Sequence, residues 1–201
     1  MEQIILDIIN QFGYIGIAAL IAIENIFPPI PSEVILTFGG FLTTKTTMNV
    51  FGVIMASTIG ALIGAVVLYY IGYILNVDRL TKFLDSKLAK VLRLKKKDID
   101  KANHWFVKYN TKAVFFGRFI PVVRSLISIP AGMSKMKLVP FIIYTTIGSL
   151  IWNTVLVLLG AVTGKNWNTI VDKFALYSDI VLYVLIIGFI VGIISYYRNR
   201  K

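Results

Sequence analysis

Four ionisable side chains lie in stretches of the chain that are otherwise apolar. "GRFIPVVRSLISIPAGMSKM", residues 117–136, carries Arg118 and Arg124, and "IAIENIFPPIPSEVILTFGGFL" carries Glu24 and Glu33. Ionisable groups placed away from water are costly, and they usually face a cavity or one another. We therefore expect the acids of the first stretch to approach the arginines of the second around a polar, watery pocket.

The types of these side chains indicate the chemistry of that pocket. Guanidinium groups form bidentate, charge-assisted hydrogen bonds with phosphate oxygens, so Arg118 and Arg124 are candidate ligands for a phosphate. A helix broken at Pro121 also offers backbone N–H groups to an anion. A carboxylate in a medium of low dielectric can load and release a proton, so Glu24 and Glu33 are candidate ion-coupling groups. The alternative is that both acids only neutralise the arginines in a structural network.

Neither pair converges on a straight helix. The arginines are six residues apart, which places them about 120° from each other around an ideal helix, and the acids, nine apart, lie on opposite faces. Prolines stand within and around both pairs and break helices by removing backbone donors. We predict two re-entrant hairpins, over residues 12–45 and 113–134, whose breaking residues are Pro28, Pro29, Pro31, Pro121 and Pro130.

The elements that must position these hairpins span a membrane. The chain is 57% hydrophobic, and residues 46–77, 138–164 and 180–197 contain no charged residue or histidine. Each run reaches the roughly 18 residues expected of a transmembrane helix. We predict an all-α integral membrane protein with a single domain and transmembrane helices at 50–75, 138–164 and 178–197. The spacing of Ala56, Gly60 and Gly64 predicts close packing of a second helix against the first of these spans.

Positive charge indicates which ends of the spans are cytoplasmic. Residues 76–112 hold 11 of the 21 lysines and arginines against four acids, and "RNRK" closes the chain. In a membrane protein this bias marks the cytoplasmic side, so we predict amphipathic cytoplasmic helices over 78–110, a cytoplasmic C-terminus and no nucleic-acid partner. The acidic N-terminus does not resemble a cleaved signal peptide. With no cysteine, cysteine-based metal sites are excluded, and we predict neither a metal nor a cofactor.

The two halves of the chain follow one plan, in which a proline-broken hairpin with two ionisable residues precedes a glycine-bearing span. The predicted orientations of the first two spans are opposite, so the halves are predicted to be inverted repeats. Inverted repeats with broken segments are typical of transporters whose site lies where the breaks meet.

The motifs resemble those of the DedA family, also called the SNARE-associated Golgi protein family. "GRFIPVVRSLISIPAGMSKM" is similar to its G-R-F-x-P-x-x-R and P-A-G-x-x-x-M segments, "ENIFPPIPSE" to an early acidic motif, and Trp152–Asn153 to a position in the following helix. Ser32 departs from the glycine common in the family. The resemblance implies two re-entrant hairpins of opposite orientation and lipid translocation. It also implies essential roles for Glu24, Glu33, Arg118 and Arg124, with Asn153 as a weaker substrate-binding site.

We therefore expect a flippase of the bacterial cytoplasmic membrane that moves undecaprenyl phosphate for carrier-lipid recycling, coupled to a proton or sodium gradient. A flippase or scramblase for a phospholipid such as phosphatidylethanolamine is the alternative. A membrane phosphatase is less favoured because the single histidine, His104, lies among cytoplasmic lysines. A further alternative, from a different functional class, is a scaffold or an ion transporter that does not move lipid. The sequence leaves the oligomeric state open and allows a homo-oligomer.

Overall fold

The computed structural model describes residues 2–27, 32–75, 96–121 and 123–166, together with a few positions between 176 and 187. Every regular element within these residues is a helix, which confirms the predicted all-α class. Pro28, Pro29 and Pro31, residues 78–95 of the predicted cytoplasmic helices and most of the predicted span 178–197 lie outside the described residues.

Three helices form the first half. Helix α1 (Glu2–Ile26) is kinked at Gly13, whose φ of 55° only glycine adopts readily, and α2 (Ser32–Leu42) follows it. Helix α3 (Val50–Ile74) begins after Asn49, whose side chain accepts a hydrogen bond from the Gly52 N–H at 2.7 Å. This cap satisfies one of the backbone donors that a helix N-terminus leaves unpaired, and so fixes where α3 begins.

The second half contains four described helices. Helix α4 (Lys96–Gly117) is kinked at Asn110, and two short helices, α5 (Val123–Leu126) and α6 (Ser128–Met133), follow the turn that holds Pro121. Helix α7 (Leu138–Thr163) ends at Gly164, which has a φ of 54°. Pro130 lies in the first turn of α6, where its missing N–H would have no partner in the helix, so the chain turns at Ile127, before Pro130.

Helices α3 and α7 are long and apolar enough to cross a membrane, and they coincide with two of the predicted spans. They pack against each other, and each also contacts helices of both halves: α3 contacts α1 and α6, whereas α7 contacts α2 and α4. The two spans therefore form the centre around which the shorter helices are arranged. All residues of α2 except Phe41 are buried.

Glycines allow the shorter helices to approach the spans at backbone distance. A Cβ on Gly40 of α2 would overlap the Val157 carbonyl of α7, and one on Gly160 of α7 would overlap the Thr37 carbonyl of α2. We call this the α2–α7 contact. In a bilayer there is no hydrophobic driving force between apolar helices, because lipid tails are equally apolar. Close packing therefore matters, since it increases the dispersion attraction between the helices.

The same arrangement recurs between α6 and α3. A Cβ on Gly132 of α6 would overlap the Tyr69 carbonyl of α3, and one on Gly72 of α3 would overlap the Ile129 carbonyl of α6. We call this the α3–α6 contact. In both cases the helix that precedes the span of one half, α2 or α6, packs on the span of the other half, α7 or α3. Each contact uses one glycine from each of the two helices. The predicted ridge on α3 also makes a close contact, since Gly60 faces the Ala18 carbonyl of α1.

The α2–α7 contact can be tested with two neighbouring glycines. A Cβ on Gly39 would meet only the ends of the Val53 and Ile17 side chains, at 3.1 and 3.2 Å, whereas one on Gly40 would meet rigid backbone. We expect Gly40→Ala to destabilise the protein by about 1–3 kcal/mol, the usual range for overpacking. Gly39→Ala should stay close to wild type. Thermal unfolding in detergent measures both, and equal midpoints for the two variants would contradict the assigned contact.

Candidate functional site: a buried cluster of charges

The four ionisable residues predicted from the sequence are all buried. Arg118 is 1% exposed, Arg124 2%, Glu24 4% and Glu33 6%. Glu24 lies in the last turn of α1 and Glu33 in the first turn of α2, while Arg118 follows α4 and Arg124 belongs to α5. The ends of four helices therefore bring the acids of the first half and the arginines of the second into one interior region.

Arg118 is held by three neutral side chains from three parts of the fold. Its Nη1 donates to Asn25 Oδ1 at 3.4 Å, and its Nη2 donates to Ser128 Oγ at 3.0 Å and to Thr145 Oγ1 at 3.2 Å. Gly148 makes room for the stem, because a Cβ there would lie 3.0 Å from the Arg118 Cβ. Only Nε of this buried guanidinium has no hydrogen-bond partner. Arg118 thus ties α1, α6 and α7 together.

Arg124 is held much more loosely. Its Nη1 donates to Ser32 Oγ at 3.2 Å, and its guanidinium carbon lies 5.9 Å from the centre of the Trp152 ring, within cation–π range. Its Nε and Nη2 are buried and have no hydrogen-bond partner among the described residues. Buried unpaired donors are rare, so two on one side chain call for a specific explanation, such as a bound water, ion or ligand.

Glu24 supplies an acceptor to the same region. Its Oε1 accepts a hydrogen bond from Ser125 Oγ at 3.3 Å, while Oε2 is buried without a partner. Because Ser125 directly follows Arg124 in the chain, this bond holds the carboxylate beside the arginine. The Glu24 charge interacts electrostatically with Arg124, Glu33 and Arg118, so all four ionisable residues belong to one electrostatic cluster.

Direct ion pairs do not join these charges. Across residues 2–27, 32–75, 96–121 and 123–166, no carboxylate oxygen of Glu24 or Glu33 lies within 4.0 Å of a nitrogen of Arg118 or Arg124. The arginines instead bond to hydroxyl and amide oxygens. Their positive charge is therefore not compensated by direct contact with a carboxylate.

Asn153 lies outside this network. It is fully buried on α7, and in either orientation of its amide it bonds to the Thr58 hydroxyl at 3.3 Å. The adjacent residue, Trp152, carries the ring that faces Arg124. The geometry thus assigns Asn153 to the contact between α3 and α7, and the "WN" pair approaches the charge cluster through its tryptophan.

Reasoning from the sequence did not identify the neutral residues that hold the cluster. These are Asn25, Ser32, Ser125, Ser128, Thr145 and Trp152. A signal for one of them was present, because Thr145, Ser149 and Asn153 recur every four residues along α7 and form a polar stripe on an apolar span. For Ser125 and Ser128 no periodicity was available, since α5 and α6 are too short.

Comparison with known proteins shows similarity along the whole chain. The family model described as "VTT domain" matches residues 30–162. An "Alkaline phosphatase-like protein" of Lactococcus lactis subsp. lactis is 55% identical, over all of this chain and 94% of its own. Proteins named "Undecaprenyl phosphate transporter A" are 42% identical in Staphylococcus aureus, over 100% of this chain and 98% of that protein, and 36% identical in Bacillus subtilis, over 91% and 88%. No solved structure matches the chain significantly.

Removing one anchor of Arg118 tests its structural role. Thr145→Val keeps the shape of the side chain but leaves a buried N–H without that acceptor, so we expect a loss of about 1–3 kcal/mol in unfolding free energy. The neighbouring Thr146 is a matched control, because it is partly exposed and no hydrogen bond of its side chain is found among the described residues. Thermal or denaturant unfolding compares Thr145→Val with Thr146→Val. Equal stability of the two would show that Arg118 does not depend on this bond.

Proposed function

The chain belongs to the VTT-domain family, the DedA family, and from this premise we propose that it is a lipid translocase that moves undecaprenyl phosphate across the bacterial cytoplasmic membrane. One observation carries the proposal: a buried pair of arginines that makes no direct ion pair with a carboxylate of the described residues and whose free N–H groups suit a phosphate. The phosphate would bind beside Arg118 and Arg124 while the isoprenoid tail stays in lipid. Relatives in Staphylococcus aureus and Bacillus subtilis carry transporter names for this lipid, which supports the assignment.

We further propose that the two halves are inverted repeats with re-entrant hairpins. The α2–α7 and α3–α6 contacts support this, because each places the helix that precedes the span of one half on the span of the other, with one glycine from each helix. The hydrogen bonds of Arg118 to Asn25 and of Arg124 to Ser32 join residues 93 and 92 positions apart. Residues near a two-fold axis meet their own counterparts, and Asn25 precedes Pro28 by the same three residues by which Arg118 precedes Pro121.

Charge balance supports coupling to a cation gradient. The cluster holds two arginines and two glutamates, so it is neutral when all four are ionised. A phosphate monoanion would leave one buried negative charge in excess, which a proton on an acid, or a sodium ion, removes. Glu24 is the better candidate, because it lies in the last turn of α1, whereas Glu33 lies in the first turn of α2, where the helix dipole favours a carboxylate.

The alternative substrate is a zwitterionic phospholipid. Its phosphate would take the arginines and its ammonium group could take the free oxygen of Glu24. A phosphatase would need a nucleophile, general base or metal near the arginines, and His104 is exposed on α4. The described residues contain no group of three potential metal ligands, and we propose a transporter without resident metal or cofactor.

Reconstitution tests the proposed transport. In proteoliposomes, we expect the Arg118→Ala, Arg124→Ala double variant to move fluorescent polyprenyl phosphate more slowly by on the order of 10²-fold, since hydrogen bonds to charged groups contribute roughly 1.5–3 kcal/mol each. Lys45→Ala is the control, because it removes an exposed cation outside the cluster. An unchanged rate in the double variant would remove the proposal. Faster movement of phosphatidylethanolamine by the wild type would favour the alternative substrate.

The coupling role of Glu24 predicts a pH dependence. Protonation of Glu24 favours binding of the anion, so the wild type should bind polyprenyl phosphate more weakly as pH rises from about 6 to about 9. Glu24→Gln mimics the protonated acid, so its dissociation constant should depend less on pH. The ionisation of the lipid itself contributes the same remaining pH dependence to the wild type and the variant. Dissociation constants in detergent at each pH measure the difference. Parallel curves for the two proteins would exclude Glu24 as the coupling group.

A further inference from the structure

The two arginines are held so differently that they cannot contribute equally to binding. Arg118 uses both terminal nitrogens in three internal hydrogen bonds, whereas Arg124 uses only Nη1. The two nitrogens of Arg124 that have no partner, Nε and Nη2, lie on the same edge of the planar guanidinium group. That edge presents two parallel N–H groups, the geometry that binds two oxygens of one phosphate.

We propose that Arg124 is the residue that grips the phosphate, through its Nε–Nη2 edge, and that Arg118 is chiefly a positioning residue that holds the site together. This inference rests on the proposed lipid-phosphate translocation. Arg118 retains its charge and two unused N–H groups, one on Nε and one on Nη1, but these two do not share an edge of the guanidinium and cannot bind one phosphate side by side. Arg124 offers two aligned N–H groups on one edge.

Ser32 and Trp152 are the residues that orient Arg124. Ser32 Oγ accepts from Nη1, on the side of the guanidinium away from the free edge, and the Trp152 ring lies 5.9 Å from the guanidinium carbon. A guanidinium that is bonded at one nitrogen and faced by a ring loses most of its rotational freedom before the ligand arrives. Preorganisation of this kind lowers the entropy cost of binding.

The Glu24 carboxylate completes the set of contacts. The Ser125 bond to Oε1 links the carboxyl to the residue after Arg124, and Oε2 has no hydrogen-bond partner among the described residues. A phosphate monoester has three terminal oxygens, so two can accept from Arg124 while the third accepts from Oε2 of the protonated Glu24. A diester has only two terminal oxygens and leaves Glu24 unsatisfied unless its alcohol carries a donor. The site therefore fits a phosphate monoester best.

Lysine substitutions separate the two roles, because lysine keeps the charge but has no two-donor edge. We expect Arg124→Lys to raise the dissociation constant at least tenfold for the bound lipid, with little change in thermal stability. Arg118→Lys should lower thermal stability and change the dissociation constant less than threefold. If Arg118→Lys does not fold, Thr145→Val, which loosens the same side chain, replaces it. Equal losses of affinity in Arg124→Lys and Arg118→Lys, or no loss in Arg124→Lys, would overturn the division of roles.

Trp152 provides a second measurement on the same side chain. Trp152→Phe keeps an aromatic face for the guanidinium, whereas Trp152→Leu removes it, so only the leucine variant should weaken binding, by about threefold or more. Equal affinities of the phenylalanine and leucine variants would exclude Trp152 as a positioning residue.

The lipids used in the titrations keep this inference distinct from the proposed function. Farnesyl phosphate and phosphatidic acid are monoesters with different tails, and phosphatidylethanolamine is a diester with an amine. We expect both monoesters to bind more tightly than phosphatidylethanolamine. Tighter binding of phosphatidylethanolamine would contradict the monoester preference and the proposed substrate, yet the comparison of Arg124→Lys with Arg118→Lys, made on that lipid, would still test which arginine grips. Binding of none of the three would overturn both proposals.

Discussion

The fold depends on burying two guanidinium charges among neutral dipoles instead of against carboxylates. A charge taken out of water needs compensation, and a direct ion pair would supply it while cancelling the field. Here Asn25, Ser128 and Thr145 satisfy Arg118 through their amide and hydroxyl oxygens, and Ser32 satisfies one nitrogen of Arg124. Hydroxyl and amide dipoles stabilise a cation without a direct ion pair, so the two glutamates of the cluster compensate the arginines only at a distance.

Close backbone contacts make this arrangement geometrically accessible. The residues that satisfy the arginines come from α1, α2, α6 and α7, and short side chains such as serine reach a guanidinium only when their helices lie near each other. The glycines of the α2–α7 and α3–α6 contacts permit that approach, and Gly148 lets the stem of Arg118 pass α7. The hydrogen bonds of the buried arginines therefore depend on the small residues, because bulkier side chains at the helix contacts would separate the arginines from their partners.

The sequence allowed the architecture to be predicted better than the contacts within it. Uncharged runs located α3 and α7, and the cost of charge at membrane depth correctly predicted that Glu24, Glu33, Arg118 and Arg124 would gather in the interior. It did not distinguish direct ion pairs from bonds through neutral partners, because spacing determines which segments converge and not which rotamers their side chains adopt. It also did not reveal that the two arginines are bonded unequally or that Asn153 bonds to Thr58. Both distinctions depend on partners contributed by other helices, such as Thr145 and Thr58, whose facing direction local patterns leave undetermined.

The unpaired atoms of the cluster are where the geometry and the proposed function meet. Among the described residues, Nε and Nη2 of Arg124 and Oε2 of Glu24 are buried without hydrogen-bond partners. Each such group costs about 1–3 kcal/mol when it is left unsatisfied. Under the proposed function, a phosphate bound by Arg124 and Glu24 would satisfy these groups, so the loaded protein would favour this arrangement more than the empty one. Arg118 bonds through both terminal nitrogens to Asn25, Ser128 and Thr145, and these bonds join α1, α6 and α7 without a ligand. The unequal bonding of two chemically identical side chains therefore separates a constant frame from the groups that the proposed substrate would complete.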